Sequence, residues 1–224
     1  MEEYNKSFKY WKTQEVEDVF GIQPAKDKTQ MEQWESADCA ISKREKETII
    51  TLQNHLISKV KYWNEAALKF YFLGPFISMI QYDTDRYNSF LEHTLKVKIN
   101  DAITISGNVD FLVATGKQIP KIPFLTLHEY KPEPNISTDP QGQLLISMVA
   151  AQKANAKKGL HYPLYGVYVT GRFWFFVILN GGQYIESLAY DATQKDIFKI
   201  FCMLQKAKEF INAEVDSLLK NKAA

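Results

Sequence analysis

The chain has 224 residues and a formal net charge of +1, with 46% hydrophobic and 24% charged residues. This composition is ordinary for a globular protein, and the charge excludes the strong overall basic field of a non-specific nucleic-acid binder, so such a partner would be met by a local patch. The start of the chain has no apolar targeting run, and the longest apolar stretch, residues 173–179, is far too short to cross a bilayer. Cys39 and Cys202 lie far apart and match no metal-ligand or redox spacing, so we expect a reducing, cytoplasmic location. Because no apolar run is long enough to cross a bilayer, we expect a soluble protein with no membrane partner.

The first part of the chain, residues 1–48, is expected to be an N-terminal helical elaboration and not an independent domain. Apolar residues at helical spacing, followed by Gly21 as a stop, predict a short helix over residues 13–22. A second helix is plausible over residues 27–38. No linker rich in Gly, Pro or Ser separates this part from residues 49–224, which we assign to the main domain.

The main domain is predicted to begin with a long helix. Apolar residues recur at three- and four-residue steps over residues 46–72, and a Gly-Pro pair closes the pattern. Strands are then predicted over residues 76–83, 92–99 and 102–115, the last two joined by a tight turn.

The stretch PFLTLHEYKPE, which starts at residue 123, is also predicted to be a strand. Alternate side chains of a strand point to opposite faces, so Leu125 and Leu127 are expected to share a face with Glu129 and Lys131. His128 is then expected on the other face. Either the strand leaves the core and its charged end reaches water, or the two charges are held together at a site.

The second half of the main domain begins with a helix. Asp139 is a suitable N-cap, a proline suits the next position, and Gly159 suits the end of the helix. Three strands and a final helix are predicted to follow, over residues 164–170, 173–179, 183–189 and 193–220. The order of helix, strands, helix, strands and helix predicts an α/β fold, a mixed β-sheet flanked by helices.

An acidic residue on the preceding strand gives the charged strand end a chemical context. Asp110 lies inside an otherwise apolar run from Val109 to residue 114, and a buried carboxylate is costly unless a cation, a metal or several donors are near. If the two strands pair, Asp110 and Glu129 converge, and two close carboxylates raise each other's pKa unless a cation lies between them. Lys131 supplies one positive charge, whereas a hard divalent cation supplies two and takes oxygen ligands. The sequence therefore predicts a magnesium site.

These residues and their order resemble the PD-(D/E)XK nuclease superfamily, which has the restriction-endonuclease-like fold. The resemblance covers residues from about 50 to 171. The positions that match the family pattern are Asp110, Glu129 and Lys131, with Gln143 in the following helix and Glu65 in the first core helix.

The resemblance implies a magnesium-dependent phosphodiesterase, with manganese as an alternative metal and DNA favoured over RNA as the substrate. Asp110, Glu129 and the backbone carbonyl of Tyr130 would hold the metal, which lowers the pKa of a bound water and holds a phosphate oxygen. Nucleases that cut both strands often pair two subunits, so a homodimer is compatible with this reading.

The resemblance also implies roles for the remaining positions. Lys131 would orient the attacking water or stabilise developing negative charge. Glu65 would bind the metal through water. Gln143 would position Lys131 or the substrate.

Each of these residues also has a plainer interpretation. Glu129 and Lys131 would form an ion pair at a solvated strand end, and Asp110 would lie in a turn or bulge. Glu65 would be a surface helix acid, and Gln143 simply a polar residue at a helix start. Two other function classes stay open: a catalytically silent module of the same fold that binds nucleic acid or protein, and an unrelated α/β protein that oligomerises through its sheet and final helix.

Overall fold

The computed structural model of the protein describes residues 4–99, 103–133 and 138–223. The helices within these ranges are α1 Thr13–Phe20, α2 Thr29–Glu35, α3 Lys43–Lys59, α4 Glu65–Leu68, α5 Gly74–Ser78, α6 Pro140–Ala156 and α7 Asp196–Ala223. The strands are β1 Tyr4–Ser7, β2 Gln23–Pro24, β3 Asn88–Lys98, β4 Ile103–Thr115, β5 Lys121–Lys131, β6 Leu164–Thr170, β7 Phe173–Asn180, β8 Gln183–Glu186 and β9 Tyr190–Asp191. No helix in the described ranges is long and apolar enough to span a membrane.

The strands form one mixed sheet of nine strands, flanked by helices, which confirms the predicted α/β class. The order is β1-β4-β5-β6-β7-β8-β2, with β3 paired to β4 and β9 paired to β7. Strands β4 and β5 are antiparallel, whereas β5 and β6 are parallel because α6 crosses between them. Both edges of β5 are therefore occupied by neighbouring strands.

Two apolar cores lie against this sheet. The first core packs residues of α3, α5 and α7, including Phe76 and Phe201, against sheet residues such as Trp174. The second core packs α6, including Leu144 and Met148, together with the N-terminal segment. Burial on both faces explains why the central strands β6 and β7 are nearly continuous apolar runs in the sequence.

The start and end of α6 follow the sequence prediction. The side chain of Asp139 accepts a hydrogen bond from the backbone N–H of Gly142 at 2.9 Å, as an N-cap does. Gly159 follows the helix with a φ of +71°, a left-handed conformation that favours glycine. Asp139 and Gly159 therefore mark the two ends of the helical connection between β5 and β6.

The N-terminal segment contributes more than the two predicted helices. Helices α1 and α2 are confirmed, and Gly21 ends α1 in the left-handed conformation. The sequence did not predict that β1 and β2 pair with β4 and β8. The sequence analysis also did not predict the disulfide that joins Cys39 and Cys202. The two cysteines are 163 residues apart in the sequence, and the disulfide joins the segment before α3 to the N-terminal part of α7.

The region predicted as one long helix and a strand is a broken helical stretch. Helix α3 ends at Lys59, and Asn64 then caps α4 by accepting a hydrogen bond from the N–H of Ala67 at 2.9 Å. A π-helical turn, Lys69–Leu73, leads into α5. Pro75 lies in the first turn of α5, where its missing N–H costs nothing, so it does not end the helical stretch. The predicted strand over residues 76–83 is wrong, since short apolar runs fit a buried helix equally well.

Other boundaries shift by a few residues. Strand β3 begins at Asn88 and not at residue 92, β8 ends at Glu186, and α7 begins at Asp196. The tight turn predicted between β3 and β4 lies outside the described residues.

Leu125 and Leu127 do not share a face as predicted, because the pairing of β5 with β4 is irregular. Val113 pairs with Thr126 while Ala114 pairs with Phe124, so the register shifts at Leu125. As a result Leu125 belongs to the first core and Leu127 to the second. The alternation on which the candidate site depends therefore begins at Leu127.

Candidate active site

The charged pair at the end of β5 is buried. Glu129 is 6% exposed and Lys131 is 9% exposed, and their strand lies inside the sheet between β4 and β6. The Nζ of Lys131 lies 2.5 Å from Oε1 of Glu129 and also donates to the backbone carbonyl of Tyr130 at 3.2 Å. The alternative of a solvated strand end does not describe this pair.

Asp110 is buried within β4 and meets the same part of β5. Its Oδ2 accepts a hydrogen bond from the backbone N–H of Tyr130 at 2.6 Å, and its Oδ1 accepts one from the Nζ of Lys69 at 2.8 Å. Both carboxylate oxygens therefore have donors. The predicted convergence of Asp110 with the end of β5 is observed.

Lys69 is the centre of the cluster and was missed by the sequence analysis. Its Nζ lies 2.7 Å from Glu65, 2.6 Å from Glu92 and 2.8 Å from Asp110. The four-residue spacing from Glu65 to Lys69 was a visible signal, but such pairs are common on exposed helix faces. The contacts with β3 and β4 depend on the path of the π-helical turn, which periodicity did not reveal.

Glu65 connects the two lysines of the site. It lies in the first turn of α4, where the cap formed by Asn64 fixes its position. One of its carboxylate oxygens contacts Lys69, and the other lies 3.6 Å from the Nζ of Lys131. Glu65 is half-buried between two cations, and the alternative of a plain surface acid does not fit this arrangement.

Glu92 is a second residue that the sequence analysis missed. It stands opposite Asp110, where the β3–β4 pairing is interrupted, and its φ of +49° is left-handed. Carboxylate oxygens of Glu65, Glu92 and Asp110 lie within 4.8 Å of one another. Glu129 does not belong to this compact group among the described residues.

Burial and crowding shift the pKa values of the cluster. Burial, reinforced by the charge of Asp110, raises the pKa of Glu129 to about 7. Burial also raises the pKa of Asp110, although the charge of Lys69 opposes it. For both lysines burial works to lower the pKa, but the neighbouring carboxylates outweigh it and raise the pKa, Asp110 for Lys69 and Glu129 for Lys131. The site therefore holds two lysines that stay protonated at neutral pH, Lys69 and Lys131, beside Glu129, which titrates near neutrality.

Gln143 is also buried, at 2% exposure, in the first turn of α6. Its Nε2 has no hydrogen-bond partner, and no hydrogen bond joins it to Lys131 among the residues that the structure describes. The structure therefore does not bring Gln143 into contact with the lysine that it was predicted to position.

The oxygen donors fit a divalent cation chemically. Oxygens of Asp110, Glu129 and the carbonyl of Tyr130 are hard ligands of the type that magnesium takes. Each of these three groups is contacted by a lysine ammonium in the structure. Of the predicted ligands, Asp110 belongs to the compact acidic group that it forms with Glu65 and Glu92 in the described part of the chain, and this group could hold a metal.

The sequence matches no model of a known protein family. A comparison with curated proteins finds no significant similarity.

Proposed function

We propose that the protein is a divalent-metal-dependent phosphodiesterase that hydrolyses nucleic acid, with DNA favoured over RNA. The observation that carries this proposal is the buried network formed by Asp110, the Glu129–Lys131 pair and Glu65, which come from β4, β5 and α4. Such crowded charges are costly to a fold and cluster at functional sites.

The topology around the network supports a restriction-endonuclease-like fold of the PD-(D/E)XK type. Strands β4 and β5 carry the acid and the acid-x-lysine triplet as antiparallel neighbours, and α6 then crosses to the parallel strand β6. A short helix before these strands supplies Glu65. This is the order of elements in which the resemblance places the catalytic residues.

The metal would be held by Asp110, Glu129 and the carbonyl of Tyr130, with magnesium favoured and manganese as an alternative. When bound, it would supply a water of lowered pKa and positive charge beside a phosphate oxygen. Its charge would also stabilise the ionised form of Glu129, whose pKa of about 7 lies high for a carboxyl group.

The remaining residues act around this centre. Lys131 stays protonated and stabilises the negative charge that develops on the phosphate, as a compact point charge. Glu65 holds the ammonium groups of Lys69 and Lys131 in place. Gln143, whose buried Nε2 has no partner, would donate to the substrate.

A plasmid-nicking assay in magnesium tests the proposal. We expect Lys131→Ala to lower the nicking rate by about 100- to 1000-fold, because losing one group that stabilises transition-state charge has an effect of that size. The matched control is Lys153→Ala, which removes an exposed lysine of α6 and should nick at the wild-type rate. Equal rates for wild type and Lys131→Ala would rule out catalysis at this site.

A second candidate function is a catalytically silent module of the same fold that binds nucleic acid or protein. The observation that favours it is Lys69, whose ammonium already neutralises Glu65, Glu92 and Asp110 without a metal. Thermal unfolding with and without manganese separates the two functions. A metal site predicts a rise in the unfolding temperature that Asp110→Ala abolishes, whereas the silent module predicts no metal-dependent shift.

A further inference from the structure

A cavity of about 860 Å³ opens directly beside the charged cluster. Lys69, Glu92 and Asp110 form one end of its wall, and the rest is mostly apolar, including Phe70 and Leu91. The volume is within the range of small-molecule sites. A ligand in this cavity would lie in contact with the residues that hold the proposed metal centre.

Two large apolar side chains of the cavity wall are exposed. Phe70 is 74% exposed and Leu91 is 71% exposed. Single exposed apolar residues are normal, but two on the wall of one cavity form a surface that a ligand would cover. The ring of Phe70 also packs edge-on against the ring of Tyr71, with centroids 5.1 Å apart.

The backbone of the wall has an unusual conformation at two positions. Gln81 and Glu92 have φ values of +56° and +49°, and they are the positive-φ residues other than glycine in the described part of the chain. Both line this cavity. Left-handed conformations of such residues cost energy and collect at binding and catalytic sites.

The charges of the wall decide which part of a nucleic acid fits inside. Lys69 is the one lysine or arginine on the wall among the described residues, and three carboxylates already engage it. Two of these carboxylates, Glu92 and Asp110, line the wall, and Asp83 adds a further negative charge. A phosphate would be repelled from this cavity, whereas a neutral, flat group would fit its apolar and aromatic surface.

We propose that the cavity binds an unpaired nucleobase next to the phosphate that is cleaved, so that single-stranded nucleic acid is the preferred substrate class. This inference rests on the proposed phosphodiesterase function and extends it. The base would stack on Phe70, pack against Leu91 and meet the amide of Gln81 at its polar edge. A base inside a duplex is not available for this contact unless it leaves the stack.

Fluorescence of a single-stranded oligonucleotide that carries one fluorescent adenine analogue tests base binding without any need for cleavage. With Lys131→Ala protein, which is blocked at the proposed catalytic step, we expect quenching of the analogue and clearly tighter binding of the single strand than of its duplex. Adding Phe70→Ala should weaken binding by about tenfold or more, since stacking of one base on an aromatic ring is worth that much. Adding Leu91→Ala should reduce the quenching.

The matched control is Tyr62→Ala, which removes an aromatic ring that is 83% exposed and does not line the cavity. It should bind like the parent protein. Phe70 and Leu91 are exposed, so their variants are expected to keep the parent's unfolding temperature, which is measured alongside. No quenching, or equal binding by Phe70→Ala and its parent, would overturn the inference.

The outcomes distinguish the inference from the proposed function. If wild-type protein nicks DNA but the analogue is not quenched, base binding is wrong and the function stands. If the analogue is quenched and Phe70→Ala abolishes the quenching, while the wild type in magnesium cleaves neither the plasmid nor the single-stranded oligonucleotide, the cavity binds bases and the catalytic proposal is wrong. Binding of a lysine-rich peptide in place of the oligonucleotide would show that the acidic wall selects a protein partner, which also overturns the inference.

Discussion

Beyond Leu127, both faces of β5 bury ionisable groups to a similar degree. One face buries a neutral group, and the other buries an ion pair. On one face, His128 is 1% exposed, packs on the ring of Phe111 with centroids 4.7 Å apart, and shares a hydrogen bond of 2.7 Å with the hydroxyl of Tyr130. On the other face, Glu129 and its lysine neighbour form an ion pair within a cluster of further charges. We name these the neutral face and the charged face.

The difference separates structural burial from a candidate site. On the neutral face, burial alone lowers the pKa of His128 to about 3, so the ring stays uncharged and contributes to packing. On the charged face, burial raises the pKa of Glu129 to about 7, and only mutual pairing with Lys131 keeps charge there. Buried charges with shifted pKa values cluster at functional sites, so the charged face is the candidate site of this strand.

The largest expected effect is acid unfolding that originates on the neutral face. The pKa of His128 lies below its ordinary value of 6.5 in the folded protein, so the unfolded chain binds the extra proton first. The contribution of neutral His128 to the free energy of unfolding is fully present above pH 6.5 and is lost as the pH falls towards 3. We expect this contribution to be about 5 kcal/mol in the free energy of unfolding, read by urea titration as the difference between the stability curves of wild type and His128→Gln.

The variant His128→Gln removes this titration and should flatten the acid side of the stability curve. The control His161→Gln, at an exposed position, should keep the wild-type curve. An unchanged acid slope in His128→Gln would contradict the description of the neutral face.

The second largest effect is expected when the charged face loses its lysine. Lys131→Met leaves Glu129 buried without its ion-pair partner and removes a neighbour of Glu65. Breaking a buried pair costs about 4 kcal/mol, and urea unfolding above neutral pH measures it, where Glu129 is ionised. Lys153→Met, at an exposed lysine, is the control. A loss no larger than that of the control would show that the pair contributes little.

The sequence predicted the elements that depend on local signals. The cap at Asp139 defined α6, and alternation placed His128 and Glu129 on opposite faces of β5. The proximity of Asp110 to the end of β5 also followed, because a carboxylate in an apolar run needs a nearby donor or cation.

Other features depend on contacts that local patterns do not encode. Lys69 and Glu92 reach the site through a π-helical turn and an interrupted strand pairing. The register shift at Leu125 changes the face of the sheet on which the later residues of β5 lie. The disulfide of Cys39 and Cys202 joins parts of the chain that only the tertiary fold brings together.

The third effect is a loss of stability as the pH rises from acid to neutral, which originates on the charged face. The pKa of Glu129 in the folded protein is raised from 4.5 to about 7, so the folded state holds the proton more tightly than the unfolded chain. Its contribution is fully present below pH 4.5 and is lost as the pH rises through 7. We expect about 3 kcal/mol, read as the difference between the stability curves of wild type and Glu129→Gln.

Because the windows of Glu129 and His128 overlap and have opposite signs, only this difference between two proteins isolates the glutamate. Glu209→Gln, at an exposed acid of α7, serves as the control and should show no such difference. If the curve of Glu129→Gln runs parallel to the wild-type curve across the window, the carboxyl group is not perturbed as described.

The smallest effect separates packing from hydrogen bonding on the neutral face. Tyr130→Phe keeps the aromatic ring and removes the hydroxyl that bonds to Nδ1 of His128. A buried ring nitrogen then loses its partner, which costs about 1–2 kcal/mol in the free energy of unfolding. The same change should move the acid transition of His128 very little, because burial and not this hydrogen bond lowers its pKa. A large shift of the acid transition in Tyr130→Phe would show that hydrogen bonding, and not burial, keeps this face neutral.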